Sequence, residues 1–156
     1  LDLGCGLGFS TIEVARVTKV EVAGVDLSRV NVDICRERAY LEGVENVWFE
    51  RLTLDFASRY EGYFDAVIAV DALHWLPDLN VAFEIVSSVL KPGGVFIGYE
   101  TLRSDPDEVC DNLEPYKVCM GAQPYMTVTE LRKALSRKFK VSIRRNDPVT
   151  FKCQKP

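Results

Sequence analysis

The stretch LDLGCGLGFS, Leu1–Ser10, sets three glycines at alternate positions directly behind an apolar run. Such a run reads as the end of a strand, followed by a tight loop and a helix N-terminus, the device that holds nucleotide cofactors. Glycine belongs in that loop because a side chain would block a ligand's approach to the backbone and would disfavour positive φ. The spacing separates two kinds of ligand. A nicotinamide or flavin fingerprint has the form G-x-G-x-x-G, with the helix start on a pyrophosphate. Gly4, Gly6 and Gly8 give G-x-G-x-G instead, and Asp2 lies two residues ahead of the first glycine. An acid there suits a cation, such as the ammonium group of an amino-acid moiety, better than a pyrophosphate.

Working outward, Ser10–Lys19 reads as a helix carrying Ile12, Ala15 and Val17. VEVAGVD (Val20–Asp26) is a buried parallel strand ending in an acid. Ser28 is the expected N-cap of a helix to about Glu42, closed by Gly43. NVWFERLTL (Asn46–Leu54) is the next strand. After a loop through Glu61–Tyr63 comes FDAVIAV (Phe64–Val70), another strand. Leu79–Leu90 has helical apolar spacing, KPGG closes it, and VFIGYE (Val95–Glu100) is a fifth strand. Residues 101–126 are polar and contain prolines and two cysteines, so they read as an insertion in the substrate region. Thr127 and Glu130 form a capping box before a short helix. FKVSIRR and VTFKCQ flank NDP as an antiparallel hairpin. The alternation specifies an α/β fold with right-handed crossovers. We expect a single Rossmann-like domain over residues 1–156, with a seven-stranded, mostly parallel sheet in three α/β/α layers and a C-terminal antiparallel hairpin.

The bulk numbers exclude several classes. A chain of 156 residues with 47% hydrophobic residues can bury its own core, and no apolar run approaches the roughly 20 residues that span a bilayer. The five cysteines (Cys5, Cys35, Cys110, Cys119 and Cys153) form neither a CxxC pair nor a disulfide framework. They read as free thiols of a reducing cytoplasm, and no metal site is expected. The net charge of −4 argues against a general nucleic-acid binder. Charge is uneven, because residues 127–156 carry nine cations against Glu130 and Asp147. That surplus reads as solvated helix and strand faces.

Four pieces now fall in order. LDLGCGLG resembles the first motif of the class I S-adenosylmethionine-dependent methyltransferases, VAGVDLS the second and FDAVIAVDALHWLPD the fourth, while LKPGGVFIGYE is similar to the strand that follows. DALHWLP resembles the small-molecule, type 11-like branch that includes ubiquinone-biosynthesis-type and trans-aconitate-type enzymes. The resemblance covers Leu1–Glu100, and the hairpin fits the family's sixth and seventh strands. It implies that Gly4, Gly6 and Gly8 line the methionine moiety of S-adenosylmethionine, with Asp2 holding its ammonium directly or through water. It further implies that Asp26 accepts both ribose hydroxyls, that Leu27 packs on the adenine, and that backbone at Ala69 and Val70 takes the amino group from the far side. The family's acid after the third strand falls on Thr53 in this chain, with Asp55 two residues late. The adenine contact is therefore assigned among Thr53, Leu54 and Asp55, with Asp55 preferred. The family also places lid helices before its first strand, so the chain reads as lacking that lid and the start of the strand.

Methyl transfer from a sulfonium is an in-line displacement in which positioning supplies much of the rate, and a base is needed only where the nucleophile sheds a proton. His74, the sole histidine, follows the fourth strand at the expected substrate mouth and is the candidate base. Trp75, Tyr99, Glu100 and residues 101–126 are candidate substrate wall. The NPPY tetrapeptide used on planar amines and amides is absent, which favours O-, C- or ordinary N-methylation of a small-molecule acceptor. Two alternatives remain from other classes. One is a catalytically inert methyltransferase-like binding or interaction domain, and the other is a nicotinamide-dependent oxidoreductase, disfavoured by the glycine spacing and Asp2.

Overall fold

Seven strands form one sheet in the order β3-β2-β1-β4-β5-β7-β6 in a computed structural model that describes residues 1–53, 55–102, 122–123, 125–144 and 149–156. The strands are β1 (Asp2–Leu3), β2 (Val22–Asp26), β3 (Val47–Arg51), β4 (Phe64–Val70), β5 (Leu90–Glu100), β6 (Lys140–Arg144) and β7 (Val149–Gln154). Pairing is parallel from β3 through β5, and β7 runs antiparallel to both β5 and β6. One strand of the seven is therefore reversed, as the terminal hairpin requires. Leu54, Cys110, Cys119, the Asn146–Pro148 turn and most of the 101–126 segment lie outside the described residues.

Helices α1 (Phe9–Thr18), α2 (Arg29–Leu41), α3 (Phe56–Arg59), α4 (Leu79–Val89) and α5 (Val128–Leu135) cover the sheet. Two buried clusters mark its two faces. Ala23 and Val25 of β2 join Phe83, Val86, Leu131 and Leu135 in one cluster. Gly24, between them, faces the other way beneath Phe49 and Thr11, on the side where Ile12, Val32 and Ala39 pack. The period-2 alternation of a strand thus separates α1 and α2 from α4 and α5. Caps fall where the sequence places them. Ser28 accepts from Asn31 N, and the Thr127–Glu130 capping box is complete. Cys5, Cys35 and Cys153 are buried free thiols.

Two elements differ from expectation. Helix α3 replaces part of a loop because Phe56, fully buried, anchors an aromatic cluster with Tyr60 and Phe64. The KPGG run lies within β5, where the β4–β5 register slips between Phe64 and Ala66, instead of closing α4. Further along β5, Gly98 supports the ring of Phe151 on β7; an added Cβ would stand 2.0 Å from Phe151 Cζ. Gly98→Ala should therefore destabilise the fold by about 1–3 kcal/mol, the usual penalty of overpacking. Urea denaturation reads the loss, and Phe151→Leu in the same chain should restore part of it.

Candidate active site

Strand order turns back between β1 and β4, and open α/β sheets bind ligands outside the carboxyl ends of their strands at such a point. A cleft of about 560 Å³ opens there, lined by the glycine turn, by Asp26, Leu27, Ser28 and Asn31 after β2, and by Val70, Asp71, Ala72, Trp75 and Leu76 after β4. That volume lies within the ordinary range for small-molecule sites.

The turn has the expected backbone, with φ of 74°, 53° and 81° at Gly4, Gly6 and Gly8. Gly4 has no room for a side chain, since a Cβ would stand 2.8 Å from that of Ala72. Gly6 is on the cleft wall, and a Cβ there would meet nothing within 4 Å, so a side chain would enter the space meant for a ligand. Gly8 is not on the wall; it caps α1 and packs against Cys35.

Asp26 ties the turn to β2. Its Oδ2 accepts from Gly6 N at 2.9 Å, and its Oδ1 accepts from Ser28 N at 2.8 Å and Asn31 Nδ2 at 3.2 Å. Three of a carboxylate's roughly four acceptor positions are thus taken inside the protein. One hydroxyl can join without loss, and a second would displace the long Asn31 bond. Asp2 stands one layer behind the wall. It is fully buried, and its Oδ2 accepts from Ser10 Oγ and Thr11 Oγ1, each at 2.7 Å. Its Oδ1 is buried without a partner among the described residues. Burial pushes its carboxyl above the usual range, and the bonds from Thr11 and Ser10 oppose that shift. Ser10, which donates to Asp2, itself lines the cleft.

The adenine-side expectation fares differently. Leu27 is half exposed on the wall and Val70 faces it from β4, while Ala69 is buried opposite Gly98 and is off the wall. Thr53 and Asp55 are also off the wall. Thr53 Oγ1 donates to Asp55 at 2.6 Å, and Arg59 Nε donates to the same carboxylate at 2.9 Å. The Thr53 bond holds the Asp55 carboxyl below its ordinary value. Leu52 stands on the wall instead. Strand β3 ends at Arg51, two residues before Thr53, and α3 begins at Phe56.

His74 lies in a short 3₁₀ turn, Leu73–Trp75, immediately after β4. It is 1% exposed, and its neighbours Ala72, Trp75 and Leu76 reach the cleft wall where it does not. Nδ1 is 2.7 Å from Glu100 Oε1, while Glu100 Oε2 accepts from Leu73 N at 2.9 Å. Nε2 is buried with no partner among the described residues. Asp71, in the left-handed region at φ 49°, brings Oδ1 to 3.9 Å from Nδ1. The donor atoms of Asp71, His74 and Glu100 lie within 4.8 Å of one another. They include the donor types of a cation site, but the contact between Nδ1 and Oε1 is that of a hydrogen bond. Ser10, Asn31, Leu52 and Asp71 were not singled out from sequence. For Asp71 the available signal was its position one residue beyond β4, beside the end of β5.

The description "Methyltransferase domain" fits residues 1–144 of the chain. Sterol 24-C-methyltransferase ERG6A of Gibberella zeae is 34% identical over 125 residues, which cover 79% of this chain and 32% of that protein. The 27-O-demethylrifamycin SV methyltransferase of Amycolatopsis mediterranei is 33% identical over 99 residues, covering 60% of this chain and 35% of that protein. The chain spans about a third of the length of the curated relatives it matches. The solved structure of geranyl diphosphate C-methyltransferase from Streptomyces coelicolor A3(2), in complex with Mg2+, geranyl diphosphate and S-adenosyl-L-homocysteine, superposes with a TM-score of 0.79. It is 16% identical, and the match covers 99% of this chain and 70% of that one. With the glycine turn, its β2 carboxylate and the sheet order in place, the chain belongs to the methyltransferase-domain family, whose cofactor is S-adenosylmethionine.

Proposed function

We propose that this chain holds S-adenosylmethionine in the cleft between the Gly4–Gly8 turn and the segment after β4, and that its methyl group passes to a small molecule with an apolar skeleton. The observation that carries the reading is Asp26, a carboxylate fixed by the glycine turn itself and left with one open acceptor position on the cleft wall. The open space above Gly6 and the unpartnered Oδ1 of Asp2 fit an aminoacyl cofactor. In this reading Asp26 binds the ribose, Leu27 and Val70 sandwich the adenine, and Ser10 backed by Asp2 meets the ammonium end. When bound, the cofactor supplies an electrophilic methyl carbon. The protein's share is to align the acceptor, to keep water out, and to take a proton where the acceptor loses one; His74 is the group assigned to that last task. Ala72, Trp75 and Leu76 make the acceptor side apolar. The relatives described above, a sterol and a demethylrifamycin methyltransferase, point the same way.

Calorimetry with S-adenosylhomocysteine tests the cofactor half, and transfer of labelled methyl groups into sterols, polyketide alcohols and simple amines tests the acceptor half. A folded sample that binds neither S-adenosylmethionine nor S-adenosylhomocysteine would return the chain to an inert binding domain. Label found only in amines would overturn the apolar acceptor.

Asp2 gives a prediction with opposite signs in stability and binding. A carboxyl whose folded pKa is raised favours the folded state only below the ordinary Asp value of about 3.9, and that contribution is lost as pH rises through the folded pKa. Asp2→Asn escapes this loss and keeps an oxygen for Ser10 and Thr11. The variant should thus be the more stable at pH 7, with its advantage shrinking below pH 4, yet bind S-adenosylhomocysteine more weakly. Urea midpoints at the two pH values and one titration check both halves.

A further inference from the structure

The geometry points to Glu100 as the residue that sets the proton inventory of His74: it holds Nδ1–H and leaves Nε2 as a buried lone-pair acceptor in the turn whose residues Ala72, Trp75 and Leu76 line the cleft. The inference rests on the reading of the cleft given above and adds a positioning residue to it. Glu100 and His74 are each 1% exposed, so neither is held by solvent. The carboxylate spends its two oxygens on one turn of chain, Oε2 on Leu73 N and Oε1 on His74 Nδ1. Leu73 N is an obligatory donor, so Oε2 must accept. Oε1 then faces Nδ1; with the carboxylate ionised, Oε1 accepts there and Nδ1 carries the ring proton. Gln123 N, bonded to His74 O at 2.6 Å, pins the backbone of the same residue, and Tyr125 packs at right angles to the ring with centroids 5.1 Å apart. The residue is thus held at its ring by Glu100 and Tyr125 and at its backbone by Gln123, while its remaining nitrogen is buried and unpartnered among the described residues. A buried polar atom without a partner calls for an explanation, and an acceptor in the turn that forms one side of a ligand cleft offers one.

Sheet register makes the pairing possible. Val70 of β4 lies beside Tyr99 of β5, so the turn after β4 necessarily crosses the end of β5, where Glu100 stands. Burial raises the Glu100 carboxyl above its usual range, and the bond from His74 opposes the shift. The pair has the logic of the carboxylate–imidazole half of a hydrolase triad, where replacing the acid by its amide leaves the geometry but installs the wrong tautomer.

Glu100→Gln applies that test. Its amide oxygen must take the Leu73 N–H, which turns the NH₂ toward Nδ1, makes Nδ1 the acceptor and moves the ring proton to Nε2. The chain holds one histidine, so nitrogen-15 NMR of histidine-labelled protein reads the tautomer without assignment. We expect the proton on Nδ1 in the native chain and on Nε2 in the variant. Turnover, read as transfer of labelled methyl from S-adenosylmethionine into a neutral-lipid extract, should fall about 10²–10⁴-fold, with KM for S-adenosylmethionine within about twofold. Glu100→Gln and His74→Gln combined should cost no more than either alone, since the two act as a unit. A native chain with Nε2 protonated overturns the inference before any variant is made. A tautomer that swaps while kcat stays constant also overturns it and leaves the pair a packing contact. A native chain that binds S-adenosylhomocysteine but transfers no label sinks the methyl-transfer reading and this inference with it. Label transfer with the wrong tautomer sinks this inference alone.

Discussion

Asp26→Ala is expected to weaken S-adenosylhomocysteine binding by about 10- to 100-fold, while Asp55→Ala changes it by less than about twofold. A hydrogen bond to a charged acceptor contributes about 1.5–3 kcal/mol, and the open position on Oδ2 accommodates one such bond at full strength. A second ribose hydroxyl competes with Asn31 Nδ2, so it adds less than a free acceptor would. The substitution also releases Gly6 N and Ser28 N, loosening the turn that shapes the cleft. Asp55 has no comparable access. Its carboxylate is off the wall and already engaged by Thr53 and Arg59. Asn31→Ala separates the two parts of the Asp26 effect. It removes only the long bond, so binding should hold or tighten slightly as Oδ1 becomes free for the second hydroxyl. Isothermal titration of the variants side by side decides the matter, and equal losses at Asp26 and Asp55 would move the ribose contact off β2.

The elements legible in sequence were those whose local chemistry and tertiary role agree. FDAVIAV became β4 residue for residue, and Ser28 and Thr127 cap the helices that follow them. Helix α3 was not legible because four residues carry too little periodicity; its existence depends on Phe56 finding Tyr60 and Phe64, a contact of the folded chain. The glycine turn and Asp26 were legible as a site because adjacent positions in one β-α unit define them. The adenine side was not, since it depends on where β3 stops. It ends at Arg51, and Leu52, the next residue, lines the cleft, while Thr53 and Asp55 are off its wall. Glu100 was noticed as wall, yet its side chain points inward to His74. That reversal follows from the β4–β5 register, which no local pattern states.

His74→Gln should lower turnover about 10²–10⁴-fold and leave S-adenosylhomocysteine affinity nearly unchanged, because proton acceptance matters only in the transition state. Glutamine is the informative replacement. Its NH₂ can donate to Glu100 Oε1 as Nδ1–H does, so the buried carboxylate keeps a partner and the Leu73 contact survives. What disappears is the ring nitrogen Nε2, the proton acceptor of this reading. His74→Ala would confound the two, emptying the space the ring fills against Trp75 and Tyr125 and leaving the buried Glu100 Oε1 without its partner, at a cost in stability. The comparison therefore separates chemistry from packing. If His74 serves only to fill that space, the Gln chain melts lower and turns over normally. If it accepts the proton, the Gln chain is folded, binds cofactor and is slow. A Gln chain with native kcat would remove the base and leave alignment of acceptor and methyl group as the whole of the protein's contribution, which the apolar wall of Ala72, Trp75 and Leu76 would then have to supply.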